Sequence, residues 1–312
     1  ITATDGAVGA GDRLAILASE IAVEGLAYGL GSAVLSASEG LTSSGLLESG
    51  GALELSAVDL LQLAGGVTAA GALDLDAVRL EVLAGAELLS GSLSARADDL
   101  ALDGLMAVQN TADIVSTDVL RLSETLYSGG DLSLSGERIE SAASAVTVAG
   151  VDFSDLTAPL GVANLTLSAA SADLGGEMLT GGTAMVQVTD LLTVPGALEA
   201  VGGDLVLSAG TLESGAQSRL IAAGIGQLDI LGDAAIGGAV FAGGDLSLQA
   251  GGLALITATD GAVGAGDRLA ILASEIAVEG LAYGLGSAVL SASEGLTSSG
   301  LLESGGALEL SA

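Results

Sequence analysis

Residues 50–77 read GGALELSAVDLLQLAGGVTAAGALDLDA, and the rhythm within this stretch decides the fold. Leucine alternates with residues suited to a solvent-facing position in ALELSA (Ala52–Ala57) and ALDLDA (Ala72–Ala77). Glycine precedes both segments. Strict alternation over a few residues, bounded by glycine, is typical of a β-strand that buries one face. The stretch therefore predicts short strands that return at a regular interval.

The same turn-then-strand pattern recurs along the chain. Further clear copies are RLAILA from Arg13, DLSLSG from Asp131, NLTLSA from Asn164, DLVLSA from Asp204 and DLSLQA from Asp245. Weaker copies are AVLSAS from Ala33, SLSARA from Ser92, DIVSTD from Asp113, MVQVTD from Met185 and QLDILG from Gln227. A regular return of short strands predicts an all-β parallel β-solenoid, in which no coil buries its apolar face alone.

The coil length follows from an internal repeat. Ile1–Ala57 recurs letter for letter as Ile256–Ala312, so the tandem repeat covers residues 1–255 and the next identical repeat begins at 256–312. Counting the difficult segment Val148–Leu156 as one coil gives thirteen coils between Arg13 and Arg268, and 255/13 is about 19.6. We expect one continuous solenoid over 1–312, with coils of that length and roughly 16 coils in all.

The identity of the two copies also bears on the parent protein. Solenoid coils tolerate wide divergence, so folding does not require identical copies. The chain has no initiating Met and no signal-peptide pattern. We expect both ends to be cuts through a longer tandem array.

Composition excludes several classes of protein. A helical fold is disfavoured because Gly occupies 49 of 312 positions. The hydrophobic fraction is 50%, but the longest charge-free stretch, Leu156–Ala172, is short for a membrane-spanning helix and includes Pro159, so we expect no membrane insertion. Lys, His, Cys and Trp are absent. Their absence excludes a Schiff-base lysine, a Ser/His pair, a thiol nucleophile, a disulfide and the usual zinc sites.

The charge balance argues against anionic partners. The chain carries a net charge of -32, and one period of the repeat holds 32 acidic residues and 6 Arg, hence -26. Thirteen coils at about 4.8 Å give one net negative charge per about 2.4 Å of axis, not far below duplex DNA. We therefore expect no nucleic-acid partner, mutual repulsion between chains, and bridging by divalent cations.

A second register accompanies the strands. Seven residues after the strand starts, the chain has Glu20, Asp59, Arg79, Asp99 and Arg138, with Arg121 one position out of phase. Each of the five is followed by an apolar residue: Ile21, Leu60, Leu80, Leu100 and Ile139. This pattern predicts a second strand in each coil. We expect Asp59, Arg79 and Asp99 to form an ion ladder worth about 0.2–1 kcal/mol per pair, unless chance aligned these charges.

Specific sites have little support. Glu54 is expected to stack over Asp74, which shares a strand face with Asp76, and Asp98, Asp99 and Asp103 form a sequence cluster. No calcium-roll repeat and no EF-hand spacing occurs, so we expect a solvated acidic face with loosely bound Ca²⁺ or other divalent cations at most.

Catalysis is equally weakly supported. Asp152 and Asp155 are a candidate carboxylate pair for glycoside hydrolysis, but few aromatic residues are present to hold a sugar. Asn164-Leu165-Thr166 matches a glycosylation sequon, a pattern frequent by chance. We expect no catalytic, cofactor-binding or metal-binding residues, and no enzyme activity.

The segments Gly129–Gly136 (GGDLSLSG), Gly202–Gly210 (GGDLVLSAG) and Gly243–Leu248 (GGDLSL) resemble the repeats of filamentous haemagglutinin-type bacterial surface adhesins. The resemblance implies a right-handed parallel β-helix, a stiff extracellular stalk and an outer-membrane secretion partner. The long exact period and the acidic, Lys-free composition depart from that family's usual repeat and favour a long, uniform fibre.

Three functions remain open from the sequence. The first is a structural segment of a long secreted bacterial surface fibre, which associates with itself in a continuous array, with lateral association between fibres left open. The second is an adhesin whose flank binds glycan or protein. This function requires aromatic residues clustered on one flank, whereas only five are spread along the chain. A β-helix polysaccharide lyase is the remote third.

Overall fold

The structure, a computed structural model, describes residues 2–3, 6–155 and 160–312. The chain folds as an all-β parallel β-solenoid of roughly 15 turns with about 20 residues per turn, and no helix occurs in the described residues. Two compact units divide it, Ile1–Leu156 and Thr157–Ala312. The predicted fold class is confirmed, whereas continuity over 1–312 stays a prediction.

The first unit contains eighteen strands among its described residues. They are β1 Thr2–Ala3, β2 Ala7–Ala10, β3 Arg13–Ala18, β4 Ile21–Val23, β5 Leu26–Gly29, β6 Ser32–Ala37, β7 Leu41–Ser43, β8 Leu46–Ser49, β9 Leu53–Ala57, β10 Leu60–Leu63, β11 Gly66–Asp76, β12 Arg79–Val82, β13 Glu87–Leu102, β14 Leu105–Val108, β15 Ala112–Leu122, β16 Thr125–Ser128, β17 Leu132–Ser141 and β18 Val146–Ala149.

The second unit contains seventeen strands within residues 160–312. They are β19 Leu165–Leu174, β20 Glu177–Thr180, β21 Ala184–Val194, β22 Ala197–Ala200, β23 Leu205–Ser214, β24 Arg219–Ala222, β25 Gly226–Ile230, β26 Ala234–Ile236, β27 Ala239–Ala242, β28 Leu246–Ala250, β29 Leu253–Ile256, β30 Ala262–Ala265, β31 Arg268–Val278, β32 Leu281–Gly284, β33 Ser287–Ser298, β34 Leu301–Ser304 and β35 Leu308–Ser311.

Each turn contributes one strand to each of three parallel ladders. The first ladder runs through β3, β6 and β9, the second through β4, β7 and β10, and the third through β2, β5 and β8. We call the bend between two consecutive strands of a turn a corner. Where a corner is tight, the two strands merge into one, so that β13 takes part in all three ladders. The sequence pattern predicted the first two ladders and missed the third.

The core consists of the inward side chains of these ladders. Leu55 of the first ladder, Leu61 of the second and Val67 of the third are each 0% exposed. Burying one such aliphatic side chain stabilises the fold by about 1.5–3 kcal/mol. Because the turns above and below cover these side chains, adjacent turns stabilise one another, as expected of a solenoid.

The number of turns differs slightly from the prediction. Val148–Leu156 was predicted to form a coil of its own, but its described part holds only the end of β18, which belongs to the third ladder of the preceding turn. Gly150, with φ of +94°, follows that strand in a backbone conformation that favours glycine. The segment therefore adds no first strand, and Leu156 itself lies outside the described residues.

Candidate interaction surfaces

The predicted second strand is confirmed, but its register differs in one turn. Ile21, Leu80, Leu100 and Ile139 are buried as expected, whereas Leu61, and not Leu60, fills the equivalent place. The physical reason is the length of the corner between the first and second strands. Leu55 and Leu61 lie six residues apart, whereas the residues that they pair with in the next turn, Leu75 and Leu80, lie five apart. The corner after Leu55 is therefore one residue longer.

The predicted ion ladder of Asp59, Arg79 and Asp99 is wrong. Arg79 pairs with Asp99 in the second ladder, but on its other side it pairs with Leu60 because the longer corner displaces Asp59. The ion pair of Arg79 is instead with Glu81, two residues further on the same strand. The Nε2 atom of Gln62 also donates a hydrogen bond to Glu81, at 2.7 Å.

A second ion-pair group lies further along the same ladder. Nε of Arg121 is 3.2 Å from Oε2 of Glu140, and Nη2 of Arg138 is 2.7 Å from Oε1 of Glu140. Arg121 also occupies the position that the sequence predicted to be out of phase, since it pairs with Glu140 and Arg138 pairs with Val119. The second ladder of the first unit thus contains three Arg side chains within four turns.

These ion pairs expose the cation more than the anion. The side chain of Arg79 is 62% exposed and that of Glu81 only 15%, and the corresponding values for Arg138 and Glu140 are 60% and 32%. We name Arg79, Arg121 and Arg138 the guanidinium patch.

Two members of the guanidinium patch, Arg79 and Arg121, line a shallow depression. A dent of about 170 Å³ lies between Arg79 and Arg121, with Ala101 in its lining. Asp99 also borders this dent and is exposed. The depression is thus lined by two guanidinium groups and by two carboxylates, those of Glu81 and Asp99.

The predicted carboxylate neighbours are only partly brought together. Glu54 and Asp74 pair in the first ladder as expected, and both are exposed together with Asp76. We name Glu54, Asp74 and Asp76 the carboxylate patch. Arg96 follows Asp76 in the ladder, but its ion pair is with Asp113 of the next turn, at 3.3 Å.

The carboxylate patch spans two adjacent turns of the first ladder. No group of three or more acidic, His or Cys residues arranged to hold a metal ion occurs in residues 6–155 and 160–312. Two of its three members, Glu54 and Asp74, lie in different turns about 4.8 Å apart. The patch is therefore an exposed anionic surface.

The sequence cluster of Asp98, Asp99 and Asp103 is spread over the last part of β13 and the residue that follows it. Asp98 lies at the corner that precedes the second-ladder part of β13, where Thr117 donates a hydrogen bond to its Oδ1 atom at 2.6 Å. Asp99 begins that part and Asp103 follows its end. Four residues of strand separate Asp99 from Asp103 by about 13 Å, too far for one small cation.

Asp152, one of the two carboxylates of the candidate pair Asp152 and Asp155, is held in its ionised form by Ser154. The side-chain hydroxyl of Ser154 and its backbone N–H both donate hydrogen bonds to Oδ1 of Asp152, at 2.6 and 2.9 Å. These bonds lower the pKa of Asp152 below its ordinary value, the hydroxyl contributing most. A group held ionised in this way is a poor general acid.

Four of the five aromatic residues occupy one kind of position. Tyr28, Tyr127, Phe241 and Tyr283 each stand at the outward third place of a four-residue third-ladder strand, as in LAYG and AVFA. The rings of Phe241 and Tyr283 stack with centroids 6.4 Å apart. Gly264 lies between them in the ladder and leaves room for the Tyr283 ring.

The sequence indicated only that the five aromatic residues are spread along the chain. Within each unit, two of the four named above share one column of the third ladder, and Phe153 lies apart in a turn. The apolar-x-small pattern of the third strand could have revealed this column, but the sequence pattern indicated only two strands per coil.

The sequon residue Asn164 is exposed and begins the turn that contains β19. Its Oδ1 atom accepts a hydrogen bond from the backbone N–H of Thr183, at 3.0 Å. Its side chain is therefore engaged in holding adjacent turns together.

Comparisons with known proteins add no relative. No family model, curated protein or solved structure matches the chain significantly. In the described part of the chain, no helix is long and apolar enough to cross a membrane.

Proposed function

We propose that this chain is a structural segment of a very long, secreted bacterial surface fibre, with a mechanical role as a stalk, thread or sheath. The observation that carries the proposal is that the duplicated sequence builds the same third-ladder strands in both units. β2, β5 and β8 of the first unit recur as β30, β32 and β34 of the second, each displaced by one period of the repeat. A sequence that takes the same register at both places suits a tandem array.

The ladders give a physical basis for the mechanical role. Among the described residues of each unit, the paired strands are parallel, so backbone hydrogen bonds join successive turns along all three ladders. Loading along the axis is shared among these bonds and the stacked aliphatic side chains. The net charge of -32 supports solubility and spacing between fibres.

The extracellular location rests on the family resemblance of the Gly-Gly-Asp-Leu segments. Filamentous haemagglutinin-type repeats use an outer-membrane secretion partner, and we propose the same route for this chain. Its partners in the proposed role are further copies of the repeat, without nucleic acid and without membrane insertion.

Electron microscopy of the native protein tests the proposal. Twelve turns of about 4.8 Å per period predict thin fibres with an axial repeat of roughly 58 Å. Antibodies raised against residues 1–57 are expected to label the cell surface along such fibres. Compact particles, or label confined to the cytoplasm, would contradict the proposal.

A second candidate function is supported by the aromatic column. β27, β30 and β32 present the outward residues Ala239, Phe241, Ala262, Leu281 and Tyr283 and carry no charge, in a strongly acidic chain. Stacked aromatic rings on an uncharged strip suit an adhesin that binds a neutral glycan or a protein. Glycan-array binding that is lost in F241A/Y283A and kept in Y127A would favour this function, whereas unchanged binding would exclude the column.

A further inference from the structure

The outward surface of the third ladder in the first unit carries few charges, although the chain as a whole is acidic. We name the outward residues of β5, β8, β11, β13, β14 and β16 the third-ladder face. Of its twelve positions, only Glu48 and Glu87 are charged. In the same turns, the first ladder presents the carboxylate patch and the second ladder presents Arg79, Glu81 and Asp99.

Large apolar side chains on the third-ladder face reach solvent. Leu46, Leu89 and Leu105 are 37, 42 and 37% exposed. Leu89 and Leu105 lie in adjacent turns, and Ala107 joins Leu89 to Tyr127 in one column. Single exposed apolar residues are normal on a protein surface, whereas a contiguous apolar surface marks an interaction site.

We propose that the third-ladder face binds the same face of a second copy of this chain, so that neighbouring solenoids associate side by side. The inference rests on the proposed role as a fibre and specifies where two fibres meet. Two chains of charge -32 repel one another, and the repulsion is smallest where both surfaces carry few charges. Contact through the third ladder therefore costs less than contact through either of the other two.

The duplicated sequence selects a second copy as the partner. β5 and β8 recur one period later as β32 and β34, which pair with each other in the same register. In a tandem array, this part of the face returns at a fixed interval along the fibre. A second array has the same interval, so several weak contacts form together and strengthen the association without any new contact.

The two edges of the third-ladder face select the orientation of the partner. The corners before the third ladder carry Glu24, Asp103 and Glu124, whereas the corners after the six strands carry one acid, Asp131, next to the first ladder. When the two chains run in the same direction, the acidic edge of each copy lies over the less acidic edge of the other. Chains in opposite directions would bring the acidic edges together, and like charges in contact oppose binding. We therefore expect the two solenoids to be parallel.

The size of the face indicates a weak, reversible contact. Six strands about 4.8 Å apart, each about 13 Å long, cover roughly 380 Å² per copy. Standard interfaces bury about 800 Å² per partner, and smaller ones are typical of transient complexes. Single chains of 312 residues are therefore expected to associate weakly, and long arrays to form bundles.

Ionic strength distinguishes this contact from one held by ion pairs. The Debye length falls from about 30 Å at about 0.01 M salt to about 3 Å at about 1 M, which screens the repulsion between the chains. An apolar contact is not weakened by that screening. Association is therefore expected to increase steadily with salt, whereas ion pairs would weaken at about 1 M.

Sedimentation velocity over a concentration series tests the inference on the full chain. We expect the weight-average sedimentation coefficient to rise with concentration, and to rise more at about 1 M than at about 0.01 M salt. The variant L89S/L105S keeps the net charge and is expected to lose that rise.

The matched control is V58S/V78S. Val58 and Val78 are 58 and 51% exposed, more than Leu89 and Leu105, but they lie at the corner between the first and second ladders. This variant is expected to keep the rise. Circular dichroism checks that both variants fold.

Spin labels test directly which faces meet, because the chain has no Cys of its own. A nitroxide at T68C lies on the third-ladder face, and one at S133C lies on the first ladder. Sheets that pack face to face are about 10 Å apart. Dipolar broadening that grows with concentration is therefore expected for T68C and not for S133C.

Three results would overturn the inference. They are a wild type that stays monomeric at every concentration and salt, equal losses in the two serine variants, and equal broadening from the two labels.

A further arm uses neutral phosphatidylcholine vesicles as a probe. Vesicle binding by a monomeric wild type that L89S/L105S loses would assign the third-ladder face to a lipid surface and overturn the second-copy inference. None of these results alters the axial repeat of native fibres, so failure here is distinguishable from failure of the proposed function.

Discussion

The Oδ1 atom of Asp204 accepts a hydrogen bond from the backbone N–H of Ile225, one turn further along the solenoid, at 2.7 Å. A Cβ atom on Gly224 would collide with the same oxygen. The Asp204 carboxylate of one turn thus holds the corner of the next turn at Ile225, and Gly224 leaves space for that carboxylate because it has no side chain. Equivalent bonds join Asn164 to Thr183, Asp233 to Leu253 and Asp245 to Arg268.

Removing this acceptor is expected to destabilise the second unit. D204A leaves the exposed Ile225 N–H without its protein partner, which is expected to cost about 0.5–1.5 kcal/mol, the usual net contribution of a hydrogen bond. D204N keeps an Oδ1 acceptor and is expected to cost less. Urea unfolding of the three proteins gives the comparison. Equal losses for the two variants would attribute the effect to charge and not to the hydrogen bond.

The glycine opposite the acid is expected to be coupled to it. G224A places a methyl group against Asp204 and is expected to cost about 1–3 kcal/mol through overpacking. In D204A/G224A the obstructing carboxylate is gone, so the double variant is expected to lose less than the sum of the single changes. Strict additivity in the unfolding free energies would show that the two residues act independently.

How far the sequence predicts this fold depends on the length of each pattern. The first strands alternate over several residues, as in RLAILA and DLVLSA, and the structure confirms their positions. The third strands are much shorter, as in LAYG, and two apolar positions within so short a segment are not a distinct periodicity. The aromatic column belongs to these strands and was missed with them.

The register between strands that follow a corner is also hard to predict from the sequence. A single additional residue between Leu55 and Leu61 moves Asp59 away from Arg79 and sends the ion pair to Glu81. Composition alone does not reveal corner length, which depends on how the chain bends over the turn beneath. The guanidinium patch therefore became visible only with the three-dimensional register.

Two neighbouring residues of β13 provide a matched test of core packing. Leu88 faces the core and is 2% exposed, whereas Leu89 faces outward and is 42% exposed. L88A is expected to cost about 2–5 kcal/mol, the usual range for a buried Leu. L89A is expected to cost less than half of that, because water already reaches the side chain. Urea unfolding checks the pair, and similar losses would mean that the two side chains are equally covered in solution.

Acid titration is expected to reveal the bonds around Asp152. The hydroxyl and the N–H of Ser154 lower the pKa of Asp152 in the folded chain below the ordinary 3.8. A depressed pKa contributes stability above the ordinary value, and that contribution is lost as pH falls through the folded value. S154A removes the larger cause, so the pKa of Asp152 is expected to rise towards 3.8. Carbon NMR of the carboxyl group measures the change.

The control for this titration is S144A, because the Ser144 hydroxyl donates to the backbone oxygen of Ser123 and not to a carboxylate. The pKa of Asp152 is expected to be the same in S144A as in the wild type. A shift of equal size in both variants would assign the effect to the loosening of this part of the unit rather than to the Ser154 hydroxyl.

The aromatic column is expected to depend on the glycine that the Tyr283 ring covers. G264A puts a Cβ atom into the space of that ring and forces it away from Phe241. The near-ultraviolet circular dichroism of tyrosine, which depends on fixed ring packing, is expected to weaken. G295A is the matched control, since a Cβ atom there meets nothing within 4 Å. If G264A leaves the tyrosine signal as strong as G295A does, the ring is not fixed over Gly264, and the column loses its value as a rigid binding surface.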